Sequence, residues 1–156
     1  MKLRLNCDPD EDALQQSIAD LLDWILPAEI AWSHFPAGGY QLTKAAQARL
    51  YRLGLKRGWP DIEIAYSRGR TLRLEVKTRH GRLSRQQEDR IAQLQALGHP
   101  VVVVRRVEDV IAALRTYDVP YKRARLAEGF DGKAVEGRSE TAQASRPQVG
   151  ASIGPS

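Results

Sequence analysis

The sequence predicts an α/β domain with a central mixed β-sheet flanked by helices, and three observations carry that prediction. Apolar residues recur at helical spacing from Ala13 to Ile25. Strict two-residue alternation runs through Ile62–Tyr66 and again through Leu72–Val76, on either side of a turn-forming Ser67-Arg68-Gly69-Arg70. The unbroken apolar run Val101–Val104 then follows a helix-patterned segment, the mark of a strand covered on both faces. Strand, helix, buried strand is a βαβ unit with an expected right-handed crossover, so the sheet must combine an antiparallel hairpin with a parallel pair.

Asp8-Pro9-Asp10-Glu11 reads as a helix start, with Asp8 as N-cap, Pro9 in the first helical position and Glu11 completing a capping box. Ala13, Leu14, Ile18, Leu21, Leu22 and Ile25 form its apolar stripe until Pro27 stops it. Ile30 to Phe35 is short and β-like, and Pro36-Ala37-Gly38-Gly39 is a loop. Thr43 to Leu53 is predicted helical, with Ala46, Leu50 and Leu53 on a narrow apolar side. After the hairpin, Ser84 caps a helix carrying Ile91, Leu94 and Leu97, with Gly98 as the residue that ends it. Val107 to Leu114 forms a last short helix. From Gly129 onward periodicity gives way to Gly, Ser, Ala, Gln and charge, the composition of a disordered tail. The expected organisation is one domain over residues 1–128 and a tail over 129–156.

Composition narrows the classes. A length of 156 residues suits one domain. Lys and Arg total 24 against 19 Asp and Glu, a net charge of +5, which permits a polyanionic partner without requiring one. Cys7 is the single cysteine, which excludes an internal disulfide and a cysteine-based zinc site. Met1 to Asp10 lacks a leader-like apolar stretch, and no run approaches the roughly 18 apolar residues of a membrane span. No membrane association and a reducing, cytoplasmic location are the expectation.

The hairpin concentrates the chemistry. Alternation projects Glu75 and Lys77, with Arg73, from one face of the strand while Val76 points into the core. Paired as read, the hairpin brings Asp61 close to Glu75 and Lys77. Two carboxylates and a lysine would then converge, with the Val76 carbonyl as a third oxygen. Such a set suits a hard divalent cation, which makes water nucleophilic and offsets charge on a phosphoryl group. The same pattern also describes a half-exposed hairpin with a solvated charged face, and residue pattern leaves both open.

Gly58-Trp59-Pro60-Asp61 followed by Glu75-Val76-Lys77 resembles the PD-(D/E)XK nuclease superfamily, and more narrowly the virus-type replication-repair nuclease (VRR-NUC) family. Phe35-Pro36-Ala37-Gly38-Gly39, the basic helix up to Gly54-Leu55-Lys56-Arg57-Gly58, and Gly81-Arg82-Leu83-Ser84-Arg85-Gln86-Gln87 are similar to that family's stand-alone, phage-borne members. So is Glu11-Asp12-Ala13-Leu14-Gln15; together the segments span Glu11 to Leu114. The resemblance implies a restriction-endonuclease-like core and a Mg²⁺-dependent endonuclease, with Mn²⁺ able to substitute. It also implies a branched or structured DNA substrate, a homodimer, and a bacterial or phage-infected cell. Asp61 and Glu75 would bind the metal with the Val76 carbonyl, and Lys77 would orient water or offset phosphate charge. Glu11 matches the family's helical acidic residue, as metal ligand and catalytic group, and Gln87 matches the glutamine after the strand motif. Where such members often carry Asn, this chain has Ala37, so that loop receives no catalytic role.

Local chemistry offers second readings. Glu11 falls in the middle of the core-facing stripe at about 100° per residue, where a carboxylate needs a partner, yet it also suits a capping box serving Asp8. Gln87 occupies the N3 position behind Ser84, where capping explains it equally. His34, beside Trp32 and Phe35, reads as packed or surface ahead of a ligand or general base, His80 as solvated ahead of a phosphate contact, and Trp59 as packing beneath the motif ahead of stacking on an unpaired base.

Lys44, Arg49, Arg52, Lys56 and Arg57 lead into the hairpin, and Lys77, Arg79, Arg82 and Arg85 lead out of it. They would form a positive rim that tracks DNA phosphates. No recognition helix for reading bases is present in the pattern. Two rivals stand beside the nuclease: an inactive DNA-binding module that kept the fold, and an interaction protein with a fortuitous motif.

Overall fold

A computed structural model describes residues 10–35, 43–127 and 129. Asp8, Pro9, the loop over 36–42 and the tail expected from 129 onward, apart from Gly129 itself, lie outside the described residues. The elements are α1 (Glu11–Ile25), β1 (Ala31–His34), α2 (Lys44–Arg52), β2 (Ile62–Tyr66), β3 (Arg70–Val76), α3 (Arg85–Ala96), β4 (Val101–Val104), α4 (Val107–Thr116) and a short α5 (Arg123–Ala127). The four strands order as β1-β2-β3-β4. The first two pairings are antiparallel and the last is parallel, giving the mixed sheet expected of a hairpin plus a βαβ unit.

Helix α1 starts two residues later than Asp8 would have it. Asp10 is the N-cap, its carboxylate accepting from the Ala13 N–H at 2.8 Å. Glu11 is therefore the first helical residue and not the third, so it serves no capping box. Two aspartates two residues apart offer equivalent caps, and the sequence does not rank them. At α3 the expected cap is present: the Ser84 hydroxyl accepts from Gln87 N–H, and the Gln87 side chain accepts from Ser84 N–H, but Leu97, expected on the apolar side, lies just past the helix and is 68% exposed. Gly98 follows that helix in the left-handed conformation (φ 82°). The hairpin turns through Arg68 (φ 62°) and Gly69 (φ 69°), a twist that matches right-handed strands.

One face of the sheet carries the main core. Leu14, Ile18, Leu21, Leu22 and Ile25 of α1 meet Ile62, Ile64, Leu72, Leu74 and Val76, closed by Val110, Ala113 and Leu114 of α4. The other face is covered by α3, where Ile91 and Leu94 pack with Val101, Trp59 and Val103. Strand β4 departs from the expected double burial. Both its faces are packed, but it is an edge strand, so Val102 and Val103 keep partial exposure. Helix α2 buries none of its residues, and Leu53 just beyond it stands 72% exposed. Helix α5, too short to show a period, docks where Lys122 N–H meets the Ile25 carbonyl at 2.8 Å. No helix among the described residues is long and apolar enough to cross a membrane.

Ile18 has no exposed surface and sits where α1 crosses the sheet. Ile18→Ala should lower unfolding free energy by about 2–5 kcal/mol in urea denaturation, through lost transfer energy and an unfilled cavity.

Candidate active site

Strand β3 is central, flanked by β2 and β4, and its last residues deliver the polar cluster. Pro60 lacks the N–H needed to carry the β2 ladder further. Side chains serve Val76 instead: its N–H donates to Asp61 Oδ2 at 2.8 Å, and its carbonyl accepts from Lys77 Nζ at 2.8 Å. Asp61 is fixed from the other side as well, its carbonyl accepting from Phe35 N–H at 2.7 Å. Next to it, Glu75 is 0% exposed and Lys77 is 6% exposed, on the face covered by α3, while Val76 points into the main core. Asp61, Glu75 and Lys77 therefore meet at one end of β3, as the alternation predicts.

Lys77 is the hub. Its Nζ donates to Glu75 Oε1 at 3.0 Å, to the Val76 carbonyl at 2.8 Å, and to Glu11 Oε1 and Oε2 at 3.2 and 3.3 Å. The partner required by Glu11 is this ammonium. Gln87 does two jobs at once: its Oε1 accepts from Ser84 N–H at 2.9 Å, and its Nε2 donates to Glu75 Oε1. The cap and a contact with Glu75 coexist in one side chain. Glu75 Oε2 is left buried with no hydrogen-bond partner.

Electrostatics follow from this crowding. Burial pushes the Glu75 carboxyl up to about 7, the charge of Asp61 adds to the rise, and Lys77 opposes it. Asp61 is also raised, chiefly by burial, against the Val76 N–H and Lys77. Burial disfavours the Lys77 ammonium, but the hydrogen bond and charge of Glu75, with Glu11 and Asp61, outweigh it, and its pKa is raised. The carboxylates are thus short of positive charge even with the lysine in place.

A divalent cation fits that shortfall. A buried carboxylate oxygen without a donor is costly unless something positive meets it. Glu75 Oε2, the Asp61 carboxylate and the Val76 carbonyl are hard oxygen donors of the kind Mg²⁺ takes while keeping several waters. Among the described residues, no three His, Cys, Asp or Glu side chains group closely enough to hold a metal by themselves. Asp61, Glu75 and the Val76 carbonyl could supply such donors, and Glu11, expected as a further ligand, lies with both carboxylate oxygens against the Lys77 ammonium.

The surroundings hold features that sequence reasoning did not find. Gly58 has φ 72°, and a Cβ there would overlap the Gln86 carbonyl and stand 2.9 Å from the Gln87 nitrogen. The loop leading to Asp61 is thereby pressed against the start of α3. Arg73, 7% exposed, pairs with Glu63 at 2.6 Å directly across the hairpin. Trp59 packs beneath the motif, as read, with the Arg73 and Arg90 guanidinium groups 5.8 and 5.6 Å from its ring centre. His34, at the end of β1, is half-buried and close enough to Asp61 to oppose the rise in its pKa. His80 is exposed. Lys44, Arg49, Arg52, Lys56, Arg57, Arg79, Arg82 and Arg85 are all exposed, Arg57 lying 4.7 Å over the Tyr51 ring.

Two outcomes follow. Because the folded state holds the Glu75 proton up to about pH 7 while the unfolded chain releases it near 4.5, Glu75 favours folding below pH 4.5. That contribution is lost as pH rises to about 7. Glu75→Gln should therefore raise Tm above pH 7 in metal-free buffer, with the gap closing towards pH 4.5; a lower Tm at pH 8 contradicts this. Gly58→Ala should cost on the order of 2 kcal/mol from the left-handed backbone alone, seen by chemical denaturation, and disturb Gln87 besides.

The comparisons with known proteins bear on the family and the fold. The VRR-NUC domain profile matches residues 11–108. No curated protein matches the chain. A solved structure described as a VRR_NUC domain protein is similar in fold, with a TM-score of 0.56 at 24% identity, covering 72% of this chain and 90% of that one. The profile spans α1 to the start of α4, including every residue of the polar cluster, and that domain is of a nuclease type that processes DNA. On that match the chain belongs to the VRR-NUC domain family.

Proposed function

We propose that this protein is a Mg²⁺-dependent endonuclease that hydrolyses phosphodiester bonds in DNA, acting on branched or structured DNA such as junctions and flaps during replication, repair or recombination. The observation that carries the reading is the meeting of Asp61, Glu75 and Lys77 at the end of β3, with Glu75 Oε2 buried and without a partner. A binding module gains nothing from buried carboxylates aimed at phosphate. The branched-substrate part rests on the family resemblance.

Asp61, Glu75 and the Val76 carbonyl would hold the cation. A bound Mg²⁺, for which Mn²⁺ can substitute, supplies Lewis-acid stabilisation of the phosphoryl oxygens and an activated water. Lys77 orients that water or offsets the charge that grows on the phosphate, and Glu11 holds the ammonium in place. Gln87 holds Glu75 Oε1, so that Oε2 keeps its direction. Outside the site, the basic residues of α2 and of the segments around the hairpin bind phosphates; between Thr43 and Pro60 there are five cations and no acid, Lys44, Arg49, Arg52, Lys56 and Arg57. A homodimer would set two such sites on one junction, which light scattering at assay concentration tests.

Incubation with Mg²⁺ or Mn²⁺ should give EDTA-sensitive incision of four-way or flap substrates above that of linear duplex. Asp61→Ala and Lys77→Ala should each abolish it while DNA affinity stays within a few-fold. Incision that survives both substitutions contradicts the proposal. An Arg49, Arg52 and Lys56 to Ala triple variant should weaken DNA binding uniformly across sequences and flatten its log–log salt slope by about 3, at about 1 per phosphate contact.

A further inference from the structure

The chain beyond Lys77 is held by a side chain that follows the neighbouring parallel strand β4. The β3–β4 pairing ends where Lys77 N–H meets the Val104 carbonyl at 3.0 Å. The next residue after Val104 is Arg105, and its Nη1 lies 2.6 Å from the Thr78 carbonyl, 2.8 Å from that of Gly81 and 3.4 Å from that of Arg79. Three carbonyls of one turn thus converge on one guanidinium nitrogen. Among the described residues no carboxylate pairs with that guanidinium: Asp109 accepts from the Arg105 backbone N–H at 2.9 Å and from Arg106 Nε at 3.0 Å.

The turn itself is tight. Gly81 N–H donates to the Thr78 carbonyl at 3.1 Å, and a Cβ on Gly81 would stand 2.8 Å from Thr78 Oγ1. It also walls a groove of about 710 Å³ that opens between α1 and the start of α4, lined by Leu14, Ser17, Thr78, Arg79, Arg105 and Arg106. Leu14 is one helical turn on from Glu11, the Lys77 partner. The turn therefore borders the candidate site on one side and this groove on the other.

We infer that Arg105 is a positioning residue for phosphodiester hydrolysis: through the carbonyls of Thr78, Arg79 and Gly81 it fixes the turn after Lys77, and so the place of the Lys77 ammonium and of Arg79 relative to the phosphate. The inference rests on the nuclease reading. Arg105 touches neither substrate nor metal donor; it acts by denying the turn other conformations, and a displacement of about 1 Å at a reacting group costs up to a hundredfold in rate.

The test uses the full chain with Arg105→Gln, Arg105→Lys and, as a charge-matched control on the far end of α4, Arg115→Gln. Arg105→Gln should lower kcat about ten- to a hundredfold, with KM for DNA and calorimetric Mn²⁺ affinity within about threefold of wild type. Arg105→Lys, which keeps a cationic donor, should recover part of the loss, and Arg115→Gln should match wild type. Amide exchange in Arg105→Gln should quicken over 78–82 and stay unchanged in α1 and β2. A kcat within threefold of wild type, or a loss carried wholly by KM, overturns the positioning role. Unchanged exchange over 78–82 overturns the staple. Wild-type protein that shows no Asp61-dependent cleavage sinks the nuclease reading instead, and the exchange result still decides whether Arg105 holds the turn.

Discussion

A carboxylate on the central strand, fully removed from solvent, is the constraint around which this domain is arranged. Glu75 sits between two neighbouring strands and beneath α3, where an unpaired charge is too costly to keep. One of its oxygens is satisfied by Lys77 and Gln87, and the other is not. Each element near the end of β3 can be understood by what it contributes to that unequal settlement. Helix α1 sends Glu11 to the ammonium, the capping box of α3 aims the Gln87 amide, and Pro60 ends a ladder so that Asp61 can begin the site.

Double use of side chains is a recurring economy here. Gln87 closes a helix N-terminus and steadies Glu75 in one geometry. The Asp61 carboxylate replaces a missing ladder partner and adds negative charge beside Glu75. Gly58 lets the loop before Asp61 lie against the backbone of α3, which ties the spacing of Asp61 and Gln87 to one close approach. Such sharing makes the site rigid, and it makes the packing of α3 part of the site's chemistry.

Much of this was legible from the residues, for reasons that differ by element. Period-two alternation fixes which residues of a hairpin share a face, so Glu75 with Lys77, and Val76 opposite them, followed directly. The α3 capping box was legible because Ser84 and Gln87 are three apart and interact locally. The start of α1 was not, because Asp8 and Asp10 are chemically interchangeable caps, and only the observed hydrogen bond from Ala13 N–H to Asp10 tells them apart. The run Val101–Val104 announced a strand with apolar faces, but no residue in it reports whether another strand lies beyond, and β4 proved to be an edge. Arg105 left no trace in the sequence at all. A side chain bound to backbone carbonyls some two dozen residues away needs no particular partner residue, so no pattern records it.

The central claim is that the unmatched Glu75 oxygen and the Asp61 carboxylate are two parts of one cation site. Anomalous diffraction from crystals grown with millimolar Mn²⁺ tests this with no assumption about substrate. The account predicts a single strong anomalous peak bonded to Asp61, Glu75 and the Val76 carbonyl at the end of β3. Full-occupancy manganese elsewhere, with these three oxygens unliganded, would contradict it.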